Sequence, residues 1–199
     1  MKHNLLEWLL MKVIGSIIAR QGSKRLPYKN LLPFGKTTML ELGVQKLKQS
    51  HYVDEIVVST ESELIARTVL GLGVKILQRP KELALDNVPS IPVFQHILKN
   101  FPGDIHVNLN INFALCQPEV IDRAVEIAVK NGEALSKPYA VWAQTQERLF
   151  NYGDFWKLPE TFDDPRAGEI DIHTEENWLA ALRIEQGPLK DWKTDDLLS

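Results

Sequence analysis

The sequence holds a single cysteine, Cys116, in 199 residues, which excludes an internal disulfide and a cysteine-rich zinc site and fits a reducing compartment. It lacks an apolar run long enough to span a bilayer. Leu5-Leu6 and Trp8-Leu9-Leu10 are interrupted by Glu7, and no small-residue cleavage site follows them, so neither a membrane span nor a signal peptide is expected. It lacks a charge excess as well: a formal net charge of -3 gives no sequence-independent attraction to nucleic acid. Internal repeats and low-complexity stretches are absent, as are the spacings of a Walker loop, G-x-x-x-x-G-K-[ST], and of the Rossmann G-x-G-x-x-G turn. The expectation is a soluble, cytoplasmic protein of one domain over residues 1–199, with Met11 as an alternative start because the first strand follows it directly.

What is present is alternation. Strand-like apolar runs at Val13 to Ala19, Glu55 to Ser59, Val74 to Leu77, Ile105 to Ile111 and Tyr139 to Ala143 are separated by amphipathic patterns. The latter predict helices near Thr38 to Gln49, Glu61 to Leu72, Pro89 to Lys99 and Pro118 to Lys130. Thr60 is the expected cap of the second helix, whose apolar face is Leu64, Ile65, Thr68, Val69 and Leu72. Lys130, Asn131 and Gly132 end the fourth. From Gln144 to Gly168 the periodicity fails amid Gly153, Pro159, Pro165 and Gly168, and a loop-rich excursion is expected there. A last helix from Glu175 to Gln186 returns to the sheet, followed by a weakly ordered tail from Pro188 to Ser199. This order implies an α/β fold, doubly wound, with a mostly parallel sheet and helices on both faces.

The chemistry concentrates in Ile17-Ile18-Ala19-Arg20-Gln21-Gly22-Ser23-Lys24-Arg25-Leu26-Pro27-Tyr28-Lys29-Asn30, where an apolar strand runs into a basic loop. In such a sheet ligands sit at the carboxyl ends of the strands, where this loop falls. Gly22 and Ser23 can free backbone amides while Arg20, Lys24, Arg25 and Lys29 supply charge, a combination suited to phosphates. Pro27 keeps the segment irregular and keeps it from continuing as a helix.

Residues Ile17 to Leu31 resemble the nucleotide-binding signature of the acylneuraminate (CMP-sialic acid) cytidylyltransferases, close to A-R-x-x-S-K-x-x-P-x-K-N. Asp54-Glu55-Ile56-Val57-Val58-Ser59-Thr60 is similar to a second family motif, and Arg79-Pro80-Lys81-Glu82-Leu83-Ala84-Leu85-Asp86, with Ser90 behind it, to a third. The resemblance implies a nucleotide-diphospho-sugar transferase-like fold and transfer of CMP from CTP to the anomeric hydroxyl of an acidic sugar, with Mg²⁺ accompanying the nucleotide and a homodimer as the assembly. It assigns catalytic phosphate contacts to Arg20, Lys24 and Lys29. It places Ala19, Arg20, Ser23, Asn30, Arg79, Ser90 and Asn110 on the nucleotide.

The second half departs from the pattern. Val107-Asn108-Leu109-Asn110-Ile111-Asn112 aligns with the V-N-V-Q-G-D of the 3-deoxy-manno-octulosonate cytidylyltransferases, so Asn112 stands where that family has a metal-binding aspartate. Ile170-Asp171-Ile172-His173-Thr174 resembles I-D-I-D-T: Asp171 keeps the first aspartate, the implied metal ligand, and His173 replaces the second. A neutral amide weakens a site for hard Mg²⁺, and an imidazole suits transition metals better. Asp171 is alternatively a cap for the helix that follows. Three readings therefore stay open: an active cytidylyltransferase, a catalytically degenerate binding relative, and a nucleotidyltransferase for another sugar or polyol phosphate. No general base is evident. His96 lies on a helix pattern, and neither His51 nor His106 has an acidic partner visible in the sequence.

Overall fold

A computed structural model of the chain describes residues 10–187. The apolar stretch at Leu5 to Leu10, apart from Leu10 itself, and the expected tail from Pro188 lie outside the described residues. The chain enters at β1 (Val13–Ile18), passes the basic loop and a tight turn at Lys29–Leu31, and makes a small hairpin of β2 (Pro33–Phe34) and β3 (Thr37–Thr38) before α1 (Met39–Gln49). Then come β4 (Glu55–Thr60), α2 (Glu63–Thr68), β5 (Lys75–Gln78), α3 (Ser90–Asn100), β6 (Ile105–Leu109) and α4 (Pro118–Asn131). The last part holds β7 (Glu133–Lys137), β8 (Val141–Thr145), α5 (Gln146–Phe150), β9 (Thr161–Asp163) and α6 (Glu175–Gln186).

The main sheet runs β5-β4-β1-β6-β8-β7-β9. β1 pairs in parallel with β4 and β6, β4 with β5, and β7 with β9, while β8 is antiparallel to both β6 and β7. The sheet is therefore mostly parallel. From β1 the chain moves outward to β4 and β5, then returns to β6 on the other side, which opens a crevice beyond the carboxyl ends of the central strands.

Side-chain alternation along the strands builds two layers. Val13, Ile17, Ile56 and Val58 face one layer, packing with Leu40, Val44 and Leu47 of α1 and with Val120, Ile121 and Val125 of α4. Ile14 and Val57 face the other, against Ile91, Phe94 and Ile97 of α3. Thr38 and Glu41 form a reciprocal cap on α1: the Thr38 hydroxyl accepts from the Glu41 amide at 3.2 Å, and the Glu41 carboxylate accepts from the Thr38 amide at 2.7 Å. Gly43 lets α1 lie close to the sheet, since a Cβ there would stand 2.5 Å from Cγ2 of Ile111. A third, smaller cluster of Leu26, Phe34, Met39, Ala114, Ile172 and Ala181 docks α6 and the small hairpin beside the crevice.

Several elements differ from the sequence expectation. Thr60 ends β4, and the cap of α2 is Ser62, whose hydroxyl accepts from the Ile65 amide. α2 is short because Gly71 and Gly73 take positive φ, and Leu64 turns to solvent. β6 stops at Leu109; the Asn110 amide makes one further backbone bond to the Ala140 carbonyl at 2.8 Å, and its side chain donates to the Tyr139 carbonyl at 3.3 Å. β8 begins two residues later than predicted, and β7 has no counterpart in the expectation. Between Gln144 and Gly168 the regular structure consists of the end of β8, α5, β9 and a turn at Pro165–Ala167. α6 spans the predicted Glu175–Gln186, and its cap is Thr174 in a reciprocal bond with Asn177, so Asp171 is not the cap.

Candidate active site

The crevice holds a cavity of about 510 Å³ with two unlike walls. Arg20, Ser23, Lys24, Arg25, Lys29 and Asn30 line the wall that follows β1. Phe94, Leu135, Tyr139, Ala140, Trp142 and Leu158 form an apolar side, with Phe94 and Trp142 edge to face at 5.7 Å between ring centres. Ser90, Asn108, Asn110, Asn112 and His173 add polar groups. A concave, partly apolar pocket of this size with a few convergent polar groups is what a small-molecule site requires.

The basic wall is fixed by local geometry. Tyr28 has φ of 54°, the left-handed region, and is the one non-glycine residue with positive φ among the described residues. That turn directs Lys29 inward: it is 8% exposed, and its ammonium donates to the Ile172 carbonyl at 3.0 Å. Burial, reinforced by Arg20 and Arg25 and opposed by Asp171, lowers the Lys29 pKa from 10.5 to about 8. Asn30 donates to the Arg20 carbonyl at 2.8 Å and locks the loop across its base. The Gln21 amide donates to Glu61 at 2.8 Å and the Ser23 amide to the Gln21 carbonyl at 2.9 Å. Of the two amides expected to be available, that of Ser23 is therefore engaged, while the side-chain charges of the loop line the cavity.

The remaining expected residues are placed less uniformly. Ala19 is fully buried, its amide bonded to the Ser59 carbonyl at 3.0 Å. Arg79 and Ser90 both border a smaller neighbouring cavity of about 210 Å³, together with Ile18, Arg20 and Asp86. The Arg79 guanidinium is only 3% exposed and pairs with Glu61 at 2.9 Å. Asn110 holds the turn between β7 and β8, and its side-chain Oδ1 accepts from the Asn112 backbone N–H at 3.2 Å. Asp171 and His173 meet at 3.0 Å, and the Asn112 amide lies 3.5 Å from the same ring nitrogen. Burial and then the Lys29 ammonium lower the His173 pKa, while Asp171 opposes them, which favours the neutral ring.

Sequence reasoning missed the apolar wall and Asn108, and gave Asp86 no role beyond its place in the third motif. Asp86 in fact bonds both Arg20 and Lys24. The signal for Asp86 was its place in the third motif; the aromatic wall depends on strand pairings that no local pattern encodes. Of the histidines, His51 does have an acidic partner, Asp122, at 2.6 Å on the surface, far along the chain. His106 is wholly buried between Ser16 at 2.9 Å and Gln144 at 3.2 Å, and burial lowers its pKa to about 4, so it stays neutral and structural.

Comparison with known proteins decides the family. The profile described as "Cytidylyltransferase" matches residues 14–158. The chain belongs to the cytidylyltransferase family. Among relatives of this cytidylyltransferase-family chain, the CMP-N,N'-diacetyllegionaminic acid synthase of Legionella pneumophila is 29% identical over 180 residues, covering 86% of this chain and 75% of that protein. The N-acylneuraminate cytidylyltransferase of Escherichia coli O18:K1:H7 is 34% identical over 107 residues, 54% of this chain and 24% of that one. The chain spans about half or less of the length of several curated relatives it matches. A solved CMP:2-keto-3-deoxy-manno-octonic acid synthetase in complex with CTP superposes with a TM-score of 0.72 at 16% identity, covering 89% of this chain and all of that one, and so shares the fold. No helix among the described residues is long and apolar enough to cross a membrane.

Proposed function

We propose that this chain is a single nucleotidyltransferase domain that binds CTP in the crevice and transfers CMP to an acidic sugar of the sialic-acid type. The observation that carries the reading is that Arg20, Lys24, Arg25 and Lys29 line one cavity together with Phe94, Tyr139 and Trp142. The cationic wall suits the triphosphate, and the apolar wall suits the flat base or a sugar face. In the reaction, the sugar's anomeric oxygen bonds to the α-phosphorus as the bond to the bridging oxygen breaks, giving the CMP-sugar, pyrophosphate and a proton. Negative charge grows on the phosphoryl oxygens and the leaving group, and fixed cations in a partly desolvated site stabilise it. Arg20 and Lys24 meet the outer phosphates, Lys29 the inner one, and Asn30 keeps the loop in shape.

The Mg²⁺ expected to accompany the nucleotide would be held mainly by its phosphates, because the side chains present do not make a protein-only site. Among the described residues no group of three or more His, Cys, Asp or Glu could hold a metal ion. Asp171, the expected ligand, is engaged by His173, Asn112 offers a neutral amide, and the Lys29 ammonium is a neighbour. Mg²⁺ is ordinarily bound through one or two carboxylates together with substrate phosphates, and Asp171 is the carboxylate at this place. A Mycobacterium tuberculosis protein of the same fold, 14% identical with a TM-score of 0.61, has been solved in complex with manganese, which bears on that protein only.

Calorimetric titration with CTP, UTP, ATP and GTP, each with and without Mg²⁺, tests the reading. The expected result is micromolar CTP affinity, about -8 kcal/mol, with clear preference over the other bases and only a modest change when Mg²⁺ is removed. Absence of binding by every nucleotide would refute it. A second reading, a binding protein without turnover, is favoured by the Asp171–His173–Asn112 arrangement. Pyrophosphate release from CTP with any sugar acid excludes it.

A further inference from the structure

The cations that face the crevice already have an anion among them. One carboxylate oxygen of Asp86 contacts Nη1 of Arg20, and the other contacts Nζ of Lys24 at 2.6 Å. Arg20 also reaches the Ala84 carbonyl at 3.4 Å, so the segment carrying Asp86 is tied to the loop twice. Asp86 lines both the main cavity and its smaller neighbour, and its side chain is 46% exposed, so it stands at their shared mouth. Two oxygens of one anionic group, each on a different cation, is the arrangement that a phosphate would adopt against the same pair.

We propose that Asp86 is a specificity-determining residue that occupies the position of a phosphate group in the unliganded site and must be displaced from Arg20 and Lys24 by the incoming ligand. The Lys24 Nζ and Asp86 pair is open to solvent, so its loss costs little, and a ligand able to engage Lys29 and Arg25 as well recovers more than it displaces. A weakly charged ligand does not. Asp86 thereby raises the charge a ligand needs, which favours polyphosphates over single phosphates and over carboxylate metabolites. Low local charge in the empty site is the second effect: without Asp86 four cations would face one another, a repulsive arrangement.

The inference rests on the nucleotide reading for the identity of the ligand but not for the anion site, so inorganic pyrophosphate is the probe. Titration of pyrophosphate into the wild type, Asp86→Asn and Asp86→Glu separates the possibilities. The expected result is about fivefold to tenfold tighter binding by Asp86→Asn, with Asp86→Glu, which keeps the charge, close to the wild type. Unchanged or weaker binding by Asp86→Asn overturns the proposal, as does failure of all three proteins to bind pyrophosphate. If pyrophosphate shows the Asp86 effect while CTP shows no preference over other nucleotides, the nucleotide reading fails and the assignment of Asp86 stands.

Discussion

Lys29→Met lowers CTP affinity about tenfold to hundredfold and removes any turnover, while the protein stays folded. Lys29 is the buried cation of the site, and charge-assisted hydrogen bonds to a desolvated ammonium are the strong ones, about 1.5–3 kcal/mol each. Calorimetry gives the affinity, and circular dichroism with thermal unfolding shows that the fold persists. The same residue sets a pH dependence. With a native pKa of about 8, Lys29 loses its charge as pH rises through that value, so affinity for a phosphate anion falls across it in the wild type. Stability moves the other way. An unfolded lysine titrates near 10.5, so between about 8 and 10.5 the unfolded chain binds more protons than the native one, and the free energy of unfolding rises with pH. Below that window the cost of burying the charge is fully present, about 3 kcal/mol; above it the cost is gone. Denaturant titrations of wild type and Lys29→Met across pH 7 to 10.5 isolate the contribution, because the other titrating groups cancel in the difference. A flat difference would show that the ammonium is not buried as described.

Arg79→Ala destabilises the protein by about 3–5 kcal/mol, enough to lower the melting temperature by roughly 10 °C in a chain of this size. The cause is the group left behind. Arg79 pairs with Glu61 in a largely enclosed contact, and its removal strands a carboxylate that also accepts the Gln21 amide. The damage therefore reaches the start of the basic loop, and nucleotide affinity is expected to drop even though the guanidinium faces Glu61. The double substitution Glu61→Gln with Arg79→Met is expected to recover part of the stability, since no unpaired charge remains. If Arg79→Ala instead melts like the wild type yet loses CTP affinity, Arg79 acts directly on the ligand, as the family resemblance implies.

The parallel half of the sheet was legible because its signals are local. Apolar runs at Val13, Glu55 and Ile105 and the Gly132 that ends α4 are each readable within a few residues. β7 was not, because Glu133-Ala134-Leu135-Ser136-Lys137 is short and mixed, and it becomes a strand only by pairing with β8 and β9. The basic loop was visible as a charge cluster after a strand. What its charges meet was not: Asp86 lies about sixty residues from Arg20 and Lys24, His51 finds Asp122 about seventy residues on, and Lys29 finds Ile172 at a separation of 143. Partners of that kind follow from topology alone. The same holds for the aromatic wall, which joins Phe94 of α3 to Trp142 of β8.

Cys116 gives the molecule a chemical clock. Its side chain is buried, burial pushes the thiol up to about 12, and it sits in the turn that follows Asn112, held by Lys46 on its own carbonyl at 2.6 Å. A thiol reagent at neutral pH reaches it only when that turn opens, so the labelling rate counts openings. Any ligand that prefers the closed form slows the rate in proportion to its occupancy. A panel of nucleotides and sugar acids can thus be ranked by how long one sulfur stays silent, before any product has to be recognised.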